Sequence, residues 1–119
     1  MNVKERRKYP RFSVKYFAVI HFKEETFYAS VTNISKEGIG IVLTRMLPVG
    51  EIIELKVSSK VGEKEKDEIS IEAKVVWVNS YGGNRVFRVG LKIVEISKKD
   101  IESFRKAIQY LKDHENTVE

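Results

Sequence analysis

The first residues that could do chemistry are a basic cluster near the N-terminus, Arg6-Arg7-Lys8-Tyr9-Pro10-Arg11. A guanidinium group is a planar fork that can bind a phosphate or the O6 and N7 edge of guanine through two hydrogen bonds, and it can also stack on a base. Pro10 disfavours a helical backbone at Tyr9, so this segment is predicted to be extended. Arg7 and Arg11 are therefore predicted to lie on an arm that can wrap around an anionic ligand.

A second polar group, Asn33-Ile-Ser35-Lys-Glu-Gly38, follows about twenty residues later. Asn33 offers both an amide donor and a carbonyl acceptor to a base edge, and Ser35 offers a hydroxyl to a phosphate or a base. Gly38 lets the backbone bend sharply or come close to a ligand. Together with the arginines, these residues indicate binding of a phosphorylated base.

Other patterns argue against catalysis. The chain has no cysteine, which excludes disulfides, thiolate metal sites and cysteine nucleophiles. His21 and His114 are far apart in the sequence, and neither has a second ligand or a nucleophile at a useful spacing. Gly38-Ile-Gly40 is not a dinucleotide-binding turn, because Leu43 stands where the third glycine would be. We therefore expect no enzymatic activity, no metal and no cofactor.

Alternation of apolar and polar residues predicts six strands that could position these groups. The first two form a hairpin around Lys23-Glu24-Glu25. The six predicted strands lie in Phe12 to Lys23, Thr26 to Ile34, Ile39 to Leu43, Ile53 to Val57, Ile69 to Trp77 and Phe87 to Ile93. Six short strands favour a closed barrel over an open sheet, since closure removes the exposed edges.

The connections between strands carry their own signals. Tyr81-Gly82-Gly83-Asn84 contains residues that tolerate positive φ, so it is predicted to join the last two strands as a hairpin. The charged stretch from Ser58 to Glu68 has no apolar face and is predicted to be a loop.

The last segment changes to a helical period. Its apolar stripe consists of Ile101, Phe104, Ile108 and Leu111. Ser97 is predicted to cap this helix by accepting a hydrogen bond from the backbone N–H of Asp100, with Ile96 and Ile101 spaced as a hydrophobic staple. The helix is expected to cover one opening of the barrel.

The net positive charge is confined to one end of the chain. Residues 1–15 carry six basic side chains against one glutamate, and this equals the whole net charge of +5. A basic arm on a neutral body is typical of a focused anion site. A length of 119 residues is that of one domain. We predict a single domain over residues 1–119, with the arm in 1–11, the barrel in 12–96 and the helix in 97–114.

The two motifs, RxxxR at Arg7 to Arg11 and NxSxxG at Asn33 to Gly38, in this order and strand context, resemble those of the PilZ domain, the bacterial receptor module for cyclic di-GMP. The strands at Val75-Val-Trp77 and Val89-Gly-Leu91 and the terminal helix fit the same resemblance, which covers nearly the whole chain. It implies an all-β fold with a C-terminal helix, namely a six-stranded antiparallel barrel of the split-barrel type.

The resemblance also implies where the ligand binds. Arg7 and Arg11 would bind the phosphates and guanine edges of cyclic di-GMP, while Asn33, Ser35 and Gly38 would form the turn that reads the base. The ligand would lie between the arm and the barrel.

Four further residues are secondary candidates for this site. Arg6 precedes the first motif arginine, a position that affects ligand stoichiometry in the family, and here it favours a stacked ligand pair. Tyr9 either stacks on a base or anchors the arm. Trp77 falls on the predicted apolar face, which favours core packing over a position at the ligand face. Gly90 marks either a bend of the barrel or a close approach of ligand.

The resulting hypothesis is a cytoplasmic receptor that signals, by ordering of its arm, to a protein partner in motility, pilus or exopolysaccharide control. Two alternatives stay open: a protein-interaction module of the same fold without nucleotide binding, and a small-barrel nucleic-acid-binding protein. Because charge is balanced outside the arm, DNA is not the expected partner. The sequence has no apolar run of about 18 residues, so no membrane insertion is expected. The protein is expected to be a monomer or a weak dimer.

Overall fold

The computed structural model describes residues 14–61, 64–83 and 85–116. Six antiparallel strands form a closed barrel in the order β1-β2-β3-β6-β5-β4. The strands are β1 (Val14–Phe22), β2 (Glu25–Ile34), β3 (Gly38–Leu43), β4 (Ile52–Val61), β5 (Lys64–Tyr81) and β6 (Val86–Ile96). A helix, α1 (Ile101–Asn116), follows the last strand. The predicted six-stranded antiparallel barrel with a C-terminal helix is thus confirmed.

The barrel interior is filled by the apolar residues of the alternating pattern. On β4, Ile53, Leu55 and Val57 are each at most 1% exposed. On β5, Ile71 and Val75 are 3% and 0% exposed. Each such side chain contributes roughly 1.5–3 kcal/mol when it leaves water. Period two therefore places one face of each strand in the core, and leaves the other face of the barrel available for a ligand.

The charged stretch between β4 and β5 is not a loop, so that prediction was wrong. The two strands continue as a paired ladder through Ser59↔Lys66, Lys60↔Glu65 and Val61↔Lys64. On its other side, β4 pairs with the start of β1, where Val14 lies opposite Val61. Backbone hydrogen bonds to neighbouring strands can hold a strand that has no apolar pattern, because the ladder satisfies its N–H and C=O groups.

The connection from β5 to β6 is the tight turn that the glycines predicted. Gly82 and Gly83 have φ of 67° and 72°, in the left-handed region that glycine enters without a steric penalty. Asn84 of the same motif lies outside the described residues.

The entry into α1 differs from the predicted cap. A short 3₁₀ turn over Lys98–Asp100 precedes the helix, and the Ser97 side chain makes no capping hydrogen bond. Instead, the backbone N–H of Asp100 donates to the Ser97 carbonyl at 2.8 Å. The Asp100 carboxylate accepts a hydrogen bond of 2.9 Å from the backbone N–H of Ser70 in β5. This pairing ties the start of the helix to the barrel.

The buried face of α1 follows the predicted stripe except at its first residue. Phe104 is buried in the core together with Ala107, and Ile108 and Leu111 pack partly buried against it, whereas Ile101 is 38% exposed. The ring of Tyr110 meets the ring of Tyr16 on β1 edge to face, with centroids 6.3 Å apart. No helix in the described ranges is long and apolar enough to cross a membrane.

Candidate ligand-binding face

The NxSxxG motif forms the tight turn between β2 and β3. The Ser35 hydroxyl accepts hydrogen bonds from the backbone N–H groups of Gly38 at 3.1 Å and Glu37 at 3.4 Å. The backbone N–H of Ser35 donates to the Gly38 carbonyl at 2.8 Å. Serine is thus the residue that locks the turn, a recurrent role for a side chain that can bond to its own backbone neighbours. Its hydroxyl stays at the exposed surface.

The same turn is fixed against β6. The backbone N–H of Ile93 donates to the Glu37 carbonyl at 2.9 Å. A Cβ atom at Gly38 would lie only 2.7 Å from the carbonyl oxygen of Leu91. The glycine is therefore required by close approach of the β6 backbone, and any larger residue would push the turn away from the barrel.

Asn33 lies just before this turn and reaches across the outer face of β3. A β-bulge at Thr32 shifts the pairing, so that Val31 lies opposite Ile41 and Asn33 lies opposite Gly40. A Cβ atom at Gly40 would be 2.8 Å from the Asn33 amide nitrogen and 2.9 Å from the Thr32 hydroxyl. The amide of Asn33 thus lies over a glycine, at the surface, where it can meet a base edge.

Trp77 is on the outer face of the barrel, so the core-packing interpretation was wrong. A β-bulge at Val76 makes Val75 pair with Leu91 and Trp77 pair with Gly90. The extra residue reverses the in-and-out alternation, and Trp77 is 46% exposed. Its indole lies directly over Gly90, where a Cβ atom would come within 2.2 Å of the indole nitrogen. A glycine is therefore needed at position 90 because the Trp77 indole lies against the backbone there.

The two glycines lie directly opposite each other on neighbouring strands. Gly40 on β3 carries the Asn33 amide and Gly90 on β6 carries the Trp77 indole, so two bulged strands bring these side chains to one patch. We call these four residues the glycine floor. The amide supplies paired hydrogen-bonding groups, and the indole supplies a flat apolar surface. Asn33, Trp77 and Gly90 are predicted candidates for the site, whereas no pattern in the sequence indicates Gly40.

The predicted arm residues Arg6, Arg7, Tyr9 and Arg11 lie outside the described residues. The topology nevertheless fixes where the chain after them enters the barrel. Because β1 and β2 are antiparallel, the first residue of β1, Val14, lies at the same end of the barrel as the β2–β3 turn. In the sequence, the last residue of the RxxxR motif, Arg11, comes three residues before Val14.

Cationic side chains border the glycine floor, and the sequence reading did not assign them. Along the outer face of β6, Arg88 and Lys92 flank Gly90 at a spacing of two residues. Lys92 is opposite both Lys74 on β5 and Gly38 of the turn. The sequence shows an Arg-x-Gly-x-Lys pattern on one face of this strand. Only the register of β6 with β3 and β5 shows that these cations lie beside the turn.

A separate acidic band crosses the outer face of β4, β5 and β6. Glu54 lies opposite Glu72, and Glu72 lies opposite Glu95, with His21 opposite Glu54 on β1. These side chains line a groove of about 560 Å³. Within the described ranges, no group of three or more His, Cys, Asp or Glu side chains is arranged to hold a metal ion.

Comparison with known proteins identifies relatives of this chain. A family model described as "PilZ domain" matches residues 5–111. A search of curated proteins finds no match. Among solved structures, the chain is similar to the Bacillus subtilis inhibitor of motility, MotI/DgrA, with a TM-score of 0.65 and 24% identity over 89% of this chain. It is also similar to MrkH, described as a c-di-GMP-dependent transcription regulatory factor, with a TM-score of 0.53 and 16% identity over 78% of this chain.

Both solved structures are longer than the region matched. The alignment covers 49% of the MotI/DgrA chain and 34% of the MrkH chain. At these identities the likeness concerns the fold, and it agrees with the closed barrel and its terminal helix.

Proposed function

The chain belongs to the PilZ domain family, the family of cyclic di-GMP receptor domains, and on this basis we propose that it binds cyclic di-GMP and passes the bound state to a partner protein. The ligand lies on the outer face of the barrel, between the RxxxR arm and the NxSxxG turn. Arg7, Arg11, Asn33, Ser35 and Gly38 form the proposed site.

The observation that carries this proposal is the glycine floor beside the turn. The Asn33 amide and the Trp77 indole lie over Gly40 and Gly90, whose missing side chains let both groups lie close against the barrel surface. An asparagine amide can pair with a purine edge, and a base that stacks on an aromatic ring gains roughly 1–3 kcal/mol. This combination suits a purine base, and the arginines of the arm are the groups that would favour guanine.

The arm completes the site in this proposal. Arg11 precedes Val14 by three residues, so a fully extended chain lets it reach about 10 Å from the barrel entrance. Arg7 has about twice that reach. Arg7 and Arg11 bind the phosphates and guanine edges, and Arg6 and Tyr9 extend the contacts to a second stacked ligand.

The output is proposed to pass through ordering of the arm, within a single domain made of arm (1–11), barrel (12–96) and helix (97–114). The names of the similar structures, an inhibitor of motility and a c-di-GMP-dependent transcription regulatory factor, fit a domain whose ligand state is read by another component. Motility control is one candidate pathway for this chain, and the cytoplasm is the location that the proposal implies.

The test is isothermal titration of the purified protein with cyclic di-GMP at physiological salt, with GTP and linear di-GMP as control ligands. We expect micromolar or tighter binding, which corresponds to about −8 kcal/mol or better, and no heat from the controls. The stoichiometry reports whether one or two ligands bind.

Substitution of the arm arginines tests the assigned site. Loss of a charge-assisted bidentate contact removes roughly 1.5–3 kcal/mol, so Arg7→Ala and Arg11→Ala should each weaken binding about tenfold to a hundredfold. Arg105→Ala is the matched control, because Arg105 is exposed on α1 and makes only a 3.8 Å contact with Glu102. Wild-type affinity in either arm variant would show that the site is assigned wrongly. A folded protein that binds no nucleotide but captures a protein partner would instead favour the interaction module.

A further inference from the structure

Two lysines lie directly opposite each other next to the NxSxxG turn. Lys74 on β5 pairs with Lys92 on β6, and Lys92 also pairs with Gly38 on β3. Both lysines are exposed on the outer face. The residue opposite Lys92 on β3 is Gly38, which has no side chain, so Lys92 borders the backbone of the NxSxxG turn directly.

This arrangement is unfavourable for the protein alone. Directly opposed side chains on antiparallel strands have Cβ atoms about 4.5–5.5 Å apart, and like charges at such positions are destabilising. The row that contains the lysines offers no carboxylate, because its other members are Ile52 on β4 and Gly38. The nearest acidic residue on the same face of β5 is Glu72, which lies in the band with Glu54 and Glu95.

The ion pairs among the described residues leave both lysines without a carboxylate within 4 Å. They join Arg45 to Glu25 and Arg105 to Glu102, and neither includes Lys74 or Lys92. An anion bound between the two ammonium groups would remove their repulsion.

The position of the pair indicates which anion. On the outer face of β6, Lys92 is two residues from Gly90, and so lies about 7 Å along the strand from the glycine over which the Trp77 indole is placed. A nucleotide whose base stacks on the Trp77 indole carries its phosphate at about this distance from the ring. The row formed by Lys74, Lys92 and Gly38 of the turn thus lies next to the row formed by Trp77, Gly90 and Gly40.

We propose that Lys74 and Lys92 bind a phosphate of the cyclic dinucleotide, as an anionic contact on the barrel itself that is separate from the arginines of the arm. This inference rests on the proposed function and deepens it. It assigns to the barrel a phosphate subsite, formed by β5 and β6, that holds the ligand against the turn.

The experiment measures cyclic di-GMP affinity for the full-length protein with Lys74→Gln, Lys92→Gln and both together, at two or more salt concentrations. Lys56→Gln is the matched control, because Lys56 is an exposed lysine on β4 that pairs with Ser70 and Val19 instead of another cation. We expect the double variant to bind about tenfold or more weakly than wild type, with a shallower dependence of log affinity on log salt, since one phosphate contact is lost. Lys56→Gln should stay within about twofold.

A second readout uses the melting temperature without ligand. Since the pair is repulsive, Lys92→Gln should melt at the same temperature as wild type or higher, while the shift that ligand produces becomes smaller. A lower melting temperature without ligand would show a structural role for the lysine and overturn the subsite.

The outcomes separate this inference from the function on which it rests. If wild type binds cyclic di-GMP and Arg11→Ala binds it more weakly, but the double lysine variant keeps wild-type affinity and salt dependence, the subsite is wrong and the receptor function stands. If wild type binds no cyclic di-GMP, the receptor function and the subsite both fail.

Discussion

Gly40 and Gly90 have no side chains, and this allows the side chains of Asn33 and Trp77 to lie directly over them. A Cβ atom at either position would overlap the atoms that now cover it, the Asn33 amide at 2.8 Å and the Trp77 indole at 2.2 Å. The glycines are therefore needed for contact and not for backbone flexibility, since neither has a positive φ. Ser35 acts in the same local way, through hydrogen bonds that close its own turn.

A substitution at Gly90 tests this relation between glycine and indole. In Gly90→Ala, the new methyl group displaces the indole, so the emission of the only tryptophan in the chain should shift to the red. We expect cyclic di-GMP affinity to fall about tenfold or more, because base stacking on an aromatic ring contributes roughly 1–3 kcal/mol. Fluorescence spectra and titration of the same samples measure both effects.

Gly83→Ala is the control for this variant. Gly83 has φ of 72° with no atom within 4 Å of an added Cβ, so alanine there strains the backbone by about 1–3 kcal/mol without touching the tryptophan. Its emission maximum should remain that of wild type although the protein is less stable. Identical emission and affinity in Gly90→Ala and wild type would contradict the placement of the indole.

At the scale of elements, two β-bulges decide which side chains face outward. The bulge at Thr32 directs Asn33 over β3, and the bulge at Val76 directs Trp77 over β6. Regular alternation predicted the six strands, because most of their residues obey period two. It failed at Trp77, since one inserted residue reverses every later position on the strand and nothing in Val75-Val76-Trp77 marks the insertion.

The same limit explains the other differences between sequence and structure. The strands in Ser58 to Glu68 are held by backbone pairing, of β4 with β5 and of β4 with β1, and backbone pairing leaves no pattern in the side chains, so the sequence shows only charge there. Lys74 and Lys92 meet through the register of two strands. By contrast, the turn of Asn33 to Gly38 could be predicted, because a turn is specified by residues adjacent in the chain.

The start of α1 offers a test at this scale. Asp100 is 7% exposed and its carboxylate accepts the backbone N–H of Ser70 at 2.9 Å. Asp100→Ala leaves that N–H without its partner, so the free energy of unfolding should fall by about 1–3 kcal/mol. Chemical denaturation measures the loss.

Asp113→Ala is the matched aspartate control. Asp113 is exposed on α1 and accepts a hydrogen bond from Gln109 at 2.7 Å, an i,i+4 contact whose loss should cost no more than about 0.5 kcal/mol. Equal stability of the two alanine variants would show that the Asp100 contact does not hold the helix to β5.

For the whole molecule, the decisive feature is the separation of charge along the chain. Residues 1–15 carry the entire net charge of +5, and the remainder is neutral with its acidic band and lysine pair on the outer face. Val14, the first residue of β1, lies at the end of the barrel that bears the β2–β3 turn, and the arm precedes it in the sequence. A focused positive segment at a binding site raises the local concentration of an anionic ligand and speeds its association, more so at low salt.

Closure of the arm over the ligand is therefore expected to be driven by charge. The two phosphates of cyclic di-GMP offset the mutual repulsion of the arm's basic side chains, so binding should slow amide hydrogen exchange in residues 4 to 11, as measured by mass spectrometry with and without saturating ligand. The helix residues 101 to 113 serve as the internal control and should exchange equally in both states. Arg11→Ala, at a ligand concentration that still saturates it, should lose much of the added protection. Unchanged exchange in the arm of a protein that binds the ligand tightly would mean that the barrel face alone holds it, and that the signal to a partner must then come from the turn or from β5 and β6.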